Sequence, residues 1–425
     1  MSFSNQIISW FRENGRALPW RETRDPYAIW LSEIILQQTR IAQGLEYWER
    51  FMAQYPTVDA LAAASEDEVL KLWQGLGYYT RARNLHAAAK QIVEMGKFPD
   101  TLEGIKSLKG VGDYTAAAIG SFAFDIPAAV VDGNVYRVLS RYFGIDTPIN
   151  STQGKKEFAA LAQSLIPGGD SLDAFASLGS ISSLDSISSL DSISPLDSIS
   201  PLDSSASLKA SVSSSKKILP NGFEMELSPI SAYNQGMMDF GAIQCTPQSP
   251  KCLLCPLAET CEALRNDRVA ELPVKEKKLK VQTRRLTYIY IRCQEETSAN
   301  GEQAEPMIAI HRRGKGDIWQ GLWEPYNASD SKKTPIEYHE DIEKMFHLPT
   351  ASLNYGITRI AKDVKHVLTH RILLADFYLL ETDGRFPLPA DYIWIKESEL
   401  DQYGIPRLIE ILLEKLHRWE SEWES

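Results

Sequence analysis

The chain is 425 residues long, 44% hydrophobic and 10% aromatic, with a formal net charge of −11 at neutral pH. That length suits two or three domains, and this much apolar content buries a sizeable core, which excludes a wholly disordered chain. No run of about 18 apolar residues occurs, and Met1–Arg21 lacks a basic head followed by an apolar stretch, so neither a membrane span nor a signal peptide is expected.

In chain order, residues 1–167 read as helix after helix, with apolar residues at helical spacing in Ile29-Trp30, Ile34-Ile35, Ile41 and Leu45. Breaks fall at Tyr55-Pro56-Thr57, Phe98-Pro99-Asp100 and Ile126-Pro127. From Ser177 a Ser-Leu-Asp-Ser-Ile-Ser hexad recurs five times with small changes. That is too few repeats to build a β-helix, so 168–228 is expected to be a disordered Ser-rich insertion in a surface loop. Helical pattern resumes at Ser231–Phe240, and four cysteines follow. Residues 271–284 are Lys-rich and read as a linker. Leu286–Ile291, Pro306–Ile310 and Ala375–Leu380 have strand composition, and 335–348 and 405–419 read as helices, giving an α+β domain over 285–420. Residues 1–167 are nearly neutral, whereas 168–230 hold −5 and 281–425 hold −6, so the acidity neither supports nor excludes a nucleic-acid partner.

Three constellations carry chemistry. Cys245-x6-Cys252-x2-Cys255-x5-Cys261 sets four thiols within seventeen residues, a ligand set for tetrahedral zinc or for an iron–sulfur cluster. Spacing alone leaves both open, and it suits a reducing compartment rather than a disulfide scaffold. Cys293 stands apart as an ordinary thiol. Leu108-Lys109-Gly110-Val111-Gly112 before Asp113 reads as a helix-hairpin-helix turn, where Gly110 and Gly112 let backbone approach a phosphate at a helix N-terminus. Two carboxylates stand out as well. Asp132 sits at the mouth of a helix, where a plain N-cap is the alternative. Glu33 lies among Trp30, Leu31, Ile34 and Ile35, and burial there raises its pKa.

The chain resembles the MutY family, adenine DNA glycosylases of the helix-hairpin-helix superfamily that also contains endonuclease III. The matching runs are Leu18-Pro19-Trp20-Arg21, Trp30 to Thr39, Gly75 to Leu85, the hairpin, Asp132-Gly133-Asn134-Val135, Asn234 to Ala242 and all four cysteines. They cover 1–167 and 229–270 closely and 285–420 more loosely. The resemblance implies a mostly α glycosylase domain over 1–167 and 229–270. It also implies a [4Fe–4S] cluster on Cys245, Cys252, Cys255 and Cys261, and a Nudix-like 8-oxoguanine recognition domain over 285–420.

It implies excision of adenine paired with 8-oxoguanine or guanine in double-stranded DNA, during base excision repair. Glu33 would protonate the base at N7, and ionised Asp132 would stabilise the oxocarbenium-like sugar. Tyr114 holds the position of the nucleophilic Lys of the related lyases, which implies a monofunctional enzyme with Tyr114 and Asn134 lining the sugar pocket. Trp20, Arg21 and Gln235 match adenine-pocket positions, and Gln38 and Tyr78 match residues that intercalate opposite the flipped base. Trp319–Pro325 matches a signature of the Nudix-like domain, but the acidic metal motif of nucleotide hydrolases is absent. Where the family reads Phe-Ser-His this chain reads Leu368-Thr369-His370, which places Thr369 and His370 at the 8-oxoguanine. A cytoplasmic, nucleoid-associated bacterial monomer is expected. The rivals are a lyase, a nucleotide hydrolase and a non-catalytic DNA-binding module. Tyr114, the missing acidic motif and the Glu33–Asp132 pair weigh against them in turn.

Overall fold

The computed structural model describes residues 2–167, 215–218, 224–276, 282–294, 305–316, 318–328, 354–368 and 371–423. The hexad repeat, the expected helix over 335–348, Thr369 and His370 lie outside the described residues. Among the described residues no helix is long and apolar enough to cross a membrane.

Ten helices span the first 164 residues: α1 (Phe3–Asn14), α2 (Pro26–Leu36), α3 (Ile41–Gln54), α4 (Val58–Ala63), α5 (Glu66–Leu72), α6 (Thr80–Met95), α7 (Leu102–Ser107), α8 (Asp113–Ala123), α9 (Gly133–Phe143) and α10 (Thr152–Ser164). Their starts follow local chemistry. Ser2 caps α1, Ser65 and Glu68 form a capping box on α5, and Ser151 caps α10. A further helix, α11 (Pro229–Asp239), is capped by Ser228 and runs into a single π turn at Phe240–Gln244.

The chain divides into two compact units. The first contains residues 1–33, 98–107 and 111–277, and the second 34–97, 108–110 and 278–425. In the first, Ile7, Phe11, Val135, Leu139, Phe158, Leu161, Met237 and Phe240 form one buried cluster. Each such side chain contributes roughly 1.5–3 kcal/mol. A Cβ on Gly236 would stand 3.0 Å from Ile7 Cγ2 and 3.1 Å from Phe11 Cβ, so the absence of a side chain lets α11 lie close on α1.

The second unit joins α3–α6 to a seven-stranded sheet of β3 (Gln282–Cys293), β4 (Met307–Arg312), β5 (Trp323–Glu324), β6 (Tyr326–Asn327), β7 (Tyr355–Val367), β8 (Arg371–Thr382) and β9 (Tyr392–Lys396), numbered after the short pair described below. The order is β5-β4-β3-β8-β7, with β6 on β3 and β9 on β4. Strands β3 and β8 are parallel over their full length, and the other pairs are antiparallel. The helix Arg407–Trp423 buries Leu408, Leu412 and Leu416 at four-residue spacing. Packing ties this sheet to α5: Arg312 reaches Glu66 at 2.9 Å and Asp67 at 2.8 Å, and a Cβ on Gly321 would meet Leu70 at 3.2 Å. Residues 34–97 therefore pack with the strand-rich segment, a division by packing that falls inside the segment 1–167.

Two expectations need correction. The tail of the segment read as disordered holds a short antiparallel pair, β1 (Ser215–Ile218) with β2 (Glu224–Leu227). The Lys-rich linker ends earlier than 284, because Gln282 already pairs with Arg371 of β8.

Candidate active site and cysteine cluster

Glu33 lies near the end of α2 with 6% of its surface exposed, and one oxygen accepts a 2.8 Å hydrogen bond from the Tyr114 hydroxyl on α8. Burial lifts its carboxyl from 4.5 to about 7. The Tyr114 hydrogen bond and the Arg21 charge pull it down, and the Asp132 charge adds to the rise. Near neutral pH the group is thus divided between acid and carboxylate. Burial pushes the Tyr114 hydroxyl well above its ordinary range, so it stays a donor.

Asp132 does cap α9. Its carboxylate accepts from the backbone of Asn134 at 2.9 Å and of Val135 at 2.8 Å, and from Asn134 Nδ2 at 2.8 Å. Burial pushes this pKa up, and the three donors, with the Arg137 charge, oppose it. The hydrogen bonds that start the helix favour the charged form of the carboxylate, but burial outweighs them.

Arg21 is engaged by Asp239 of α11. The two make a fork of 2.7 and 2.9 Å bonds, and Arg16 adds bonds of 2.9 Å from its backbone N and its Nε. Despite complete burial, these two guanidiniums hold Asp239 down to about 2. Beside it on α11, Gln235 is 3% exposed. Its Nε2 donates to Ser231 at 3.0 Å, while Oε1 has no hydrogen-bond partner among the described residues. Trp20 is buried in the short turn Pro19–Arg21. Gly110 takes φ +78, and a Cβ there would meet Asn84 at 2.6 Å. Gly112 is the N-cap of α8 with open space at its Cβ position.

In the second unit, Gln38 and Tyr78 line one cavity of about 740 Å³ together with Trp319, His366, Leu368 and Arg371. Both carry left-handed backbone, at φ +57 and +48, conformations that cost a non-glycine residue about 1–3 kcal/mol. Arg81 supports both. Its guanidinium donates to the carbonyls of Ile34, Ile35 and Gln37 at 2.6–3.0 Å and to those of Leu76 and Gly77 at 3.3 Å, and it lies over the Tyr78 ring.

The cysteine loop is fastened to α9. Arg137 donates to the carbonyls of Gly241 at 2.5 Å and Cys245 at 2.7 Å, and to Asn134 Oδ1 at 2.8 Å. Arg141 reaches Cys245 Sγ at 3.4 Å and the carbonyls of Thr246 and Leu272. All four thiols are partly buried and none is in a disulfide. Among the described residues no three His, Cys, Asp or Glu side chains converge as they would on a single ion with bonds of about 2.3 Å.

Three family models match the chain. Residues 31–167 match the HhH-GPD superfamily base excision DNA repair protein, 245–261 the iron-sulfur binding domain of endonuclease III, and 301–415 the NUDIX domain. An adenine DNA glycosylase of Buchnera aphidicola subsp. Baizongia pistaciae is 30% identical over 430 residues, covering 99% of each chain. The chain belongs to the adenine DNA glycosylases. The enzyme of Buchnera aphidicola subsp. Schizaphis graminum is 26% identical over 97% of this chain and 98% of its own. The Homo sapiens enzyme is 34% identical over 62% of this chain and 39% of its own. A solved structure of a thermostable thymine-DNA glycosylase aligns over 62% of this chain and 95% of its own with a TM-score of 0.45 and 26% identity.

As a member of this family the chain binds DNA and hydrolyses the N-glycosidic bond of adenine in base excision repair. It carries an iron–sulfur cluster on the loop 245–261, with Cys245, Cys252, Cys255 and Cys261 as the fitting donors: soft thiolates flanked by two buried guanidiniums. Sequence reading missed Asp239, Arg81, Arg137 and Arg141. Asp239 pairs with a residue 218 positions away, and the three arginines act on backbone carbonyls, which leave no motif.

Proposed function

We propose that the substrate is adenine paired with 8-oxoguanine or guanine, removed by a monofunctional, monomeric enzyme. The observation that carries the reading is Glu33: a buried carboxyl near neutrality, hydrogen-bonded to Tyr114 and coupled to Asp132. Protonated Glu33 gives its proton to N7 of the flipped adenine. The C1′–N9 bond then breaks, its electron pair leaves with the base, and the sugar becomes oxocarbenium-like. Asp132, oriented by Asn134, balances that positive charge. Water adds at C1′ and returns a proton to the Glu33 carboxylate, leaving adenine and an abasic sugar. Where a lyase needs an amine, Tyr114 offers a hydroxyl already committed to Glu33, so no imine forms.

The open Oε1 of Gln235 suits the exocyclic amine of adenine, since a buried acceptor left unpaired costs about 1–3 kcal/mol. Trp20 walls the base, and Arg21 fixes α11 against it through Asp239. Gly110 and Gly112 approach a DNA phosphate. On the opposite strand, Gln38 and Tyr78 fill the stack, and the segment 285–420 reads the opposite base through Thr369 and His370. The cavity shared by Gln38, Tyr78 and Leu368 supports this. The test is single-turnover excision on duplexes with A:8-oxoguanine, A:G and A:T. Breakage only after alkali, ordered in that way, is expected. Breakage without alkali, or equal rates on all three, would sink it.

A further inference from the structure

A second cavity, about 360 Å³, opens in the strand-rich unit and is lined by Arg284, His311, Arg313, Lys315, Glu324 and Arg371. Among the described lining residues its one carboxylate, Glu324, is fully engaged. Glu324 is buried, and it accepts from Tyr288 Oη at 3.0 Å, His311 Nε2 at 3.1 Å, Asn327 Nδ2 at 3.3 Å and Arg313 Nη1. Burial alone would raise its pKa, but the His311 hydrogen bond and the Arg313 charge prevail and hold it below the usual range. Among the described lining residues Arg313 is paired with Glu324, and Lys315 and Arg371 bring positive charge beyond that pair. His311 Nδ1 is buried without a hydrogen bond, 3.6 Å from the nearest Asp391 oxygen.

The floor is the loop Arg313-Gly314-Lys315-Gly316. Gly316 takes φ +95, and a Cβ at either glycine would meet nothing within 4 Å, so backbone is open to a close-lying group. Among the described lining residues the one aromatic ring is the His311 imidazole, already stacked on Tyr392, which leaves little stacking surface for a base. The chemistry left is a compact, multiply charged oxyanion.

We propose that this cavity binds a phosphate group, and that in the DNA complex it takes a backbone phosphate of the strand whose base enters the neighbouring 740 Å³ cavity. Arg371 lines both cavities, which sets the phosphate and that base within one side chain of each other. The choice of strand rests on the function proposed above, whereas the phosphate chemistry does not.

The test uses the full-length holoenzyme and the variants Lys315→Ala, Arg284→Ala and Lys315→Arg. Duplex binding is followed by fluorescence anisotropy from low to physiological salt, with inorganic pyrophosphate as competitor. Each Ala variant should weaken binding roughly tenfold at low salt and flatten the log Kd against log salt slope by about one. Excision at saturating enzyme should persist, Lys315→Arg should restore binding, and pyrophosphate should compete only where both side chains remain. Pyrophosphate binding that the Ala variants abolish, with DNA affinity and salt slope unchanged, would uphold the phosphate site and assign it to a free phosphorylated ligand. No change in the salt slope and no pyrophosphate binding would overturn the proposal. Failure of the glycosylase reading would show instead as absent excision in the unaltered enzyme, with the salt slopes still measurable.

Discussion

Replacing Glu33 by Gln separates what this residue does for catalysis from what it costs the fold. Gln keeps the shape and still accepts the Tyr114 hydrogen bond, but it has no proton to give. Excision should fall by at least about 10²–10⁴-fold while duplex binding survives. The stability effect has a definite sign. Burial raises the Glu33 carboxyl from 4.5 to about 7, so between those values the folded protein holds more protons than the unfolded chain. Its contribution is complete below pH 4.5 and is lost as the pH rises through about 7, because a bare carboxylate must then stay buried.

That interval corresponds to about 3 kcal/mol, and Gln does not titrate. Relative to wild type, Glu33→Gln should therefore gain stability between pH 5 and pH 8, read as a melting temperature roughly 5–10 °C higher at pH 8 and near wild type at pH 5. In the unaltered enzyme, excision should decline as pH rises past about 7, following loss of the acid form. Single-turnover excision at the wild-type rate, or a stability difference that does not change with pH, would refute the reasoning.

Tyr114→Lys should produce a borohydride-trapped protein–DNA adduct and some strand breakage without alkali; excision with no adduct would mean that Tyr114 does not face the sugar. Asp239→Asn should lower unfolding stability in urea by about 3–5 kcal/mol, because Arg21 loses its partner in a buried site; a loss under 1 kcal/mol would show that solvent reaches the pair. Thr369→Ala and His370→Ala should reduce the preference for A:8-oxoguanine over A:G by roughly 5- to 100-fold each, as one lost hydrogen bond does. Equal losses on both duplexes would assign the loop to general affinity.

What was legible in the sequence is what the chain writes locally. The four cysteines, the Gly110–Gly112 hairpin and the cap Asp132 each fall within a short window, and Glu33 announces itself as a charge inside an apolar helix. The partners of these residues were not legible. Asp239 and Arg21 meet across 218 positions, and Asp239 alone looks like any acid at a helix end. Strand β7 escaped because Tyr355–Val367 is half polar and mostly partly exposed, with register shifts between Arg359 and Val364 that break its alternation. Strand β9 is five residues long, too short to show a period. The Nudix-like segment was found through Trp319–Pro325, yet its basic cavity was not, since Arg284, Lys315 and Arg371 are far apart in sequence.

Helix α9 links the cysteine loop to Asp132, one of the two carboxylates proposed to carry the chemistry. The helix begins at Asp132, and Asn134, Arg137 and Arg141 follow at spacings of three and four, which places them on one face. Asn134 holds Asp132 with its Nδ2 and is itself held by Arg137 at Oδ1. Arg137 in turn spends its remaining donors on carbonyls of Gly241 and Cys245, and Arg141 continues along the loop to Thr246 and Pro247. A Cβ on Gly241 would lie 2.5 Å from Asn134 Cβ, so any side chain there would push the loop off the helix. The carboxylate proposed to face the sugar cation is therefore positioned by a chain of hydrogen bonds whose far end is the cysteine loop. Loosening that loop frees the Asn134 amide and removes one of the three donors that oppose the burial-driven rise of the Asp132 pKa. The carbonyls of Gly241, Cys245 and Thr246, on which Arg137 and Arg141 rest, therefore fix this face of the helix.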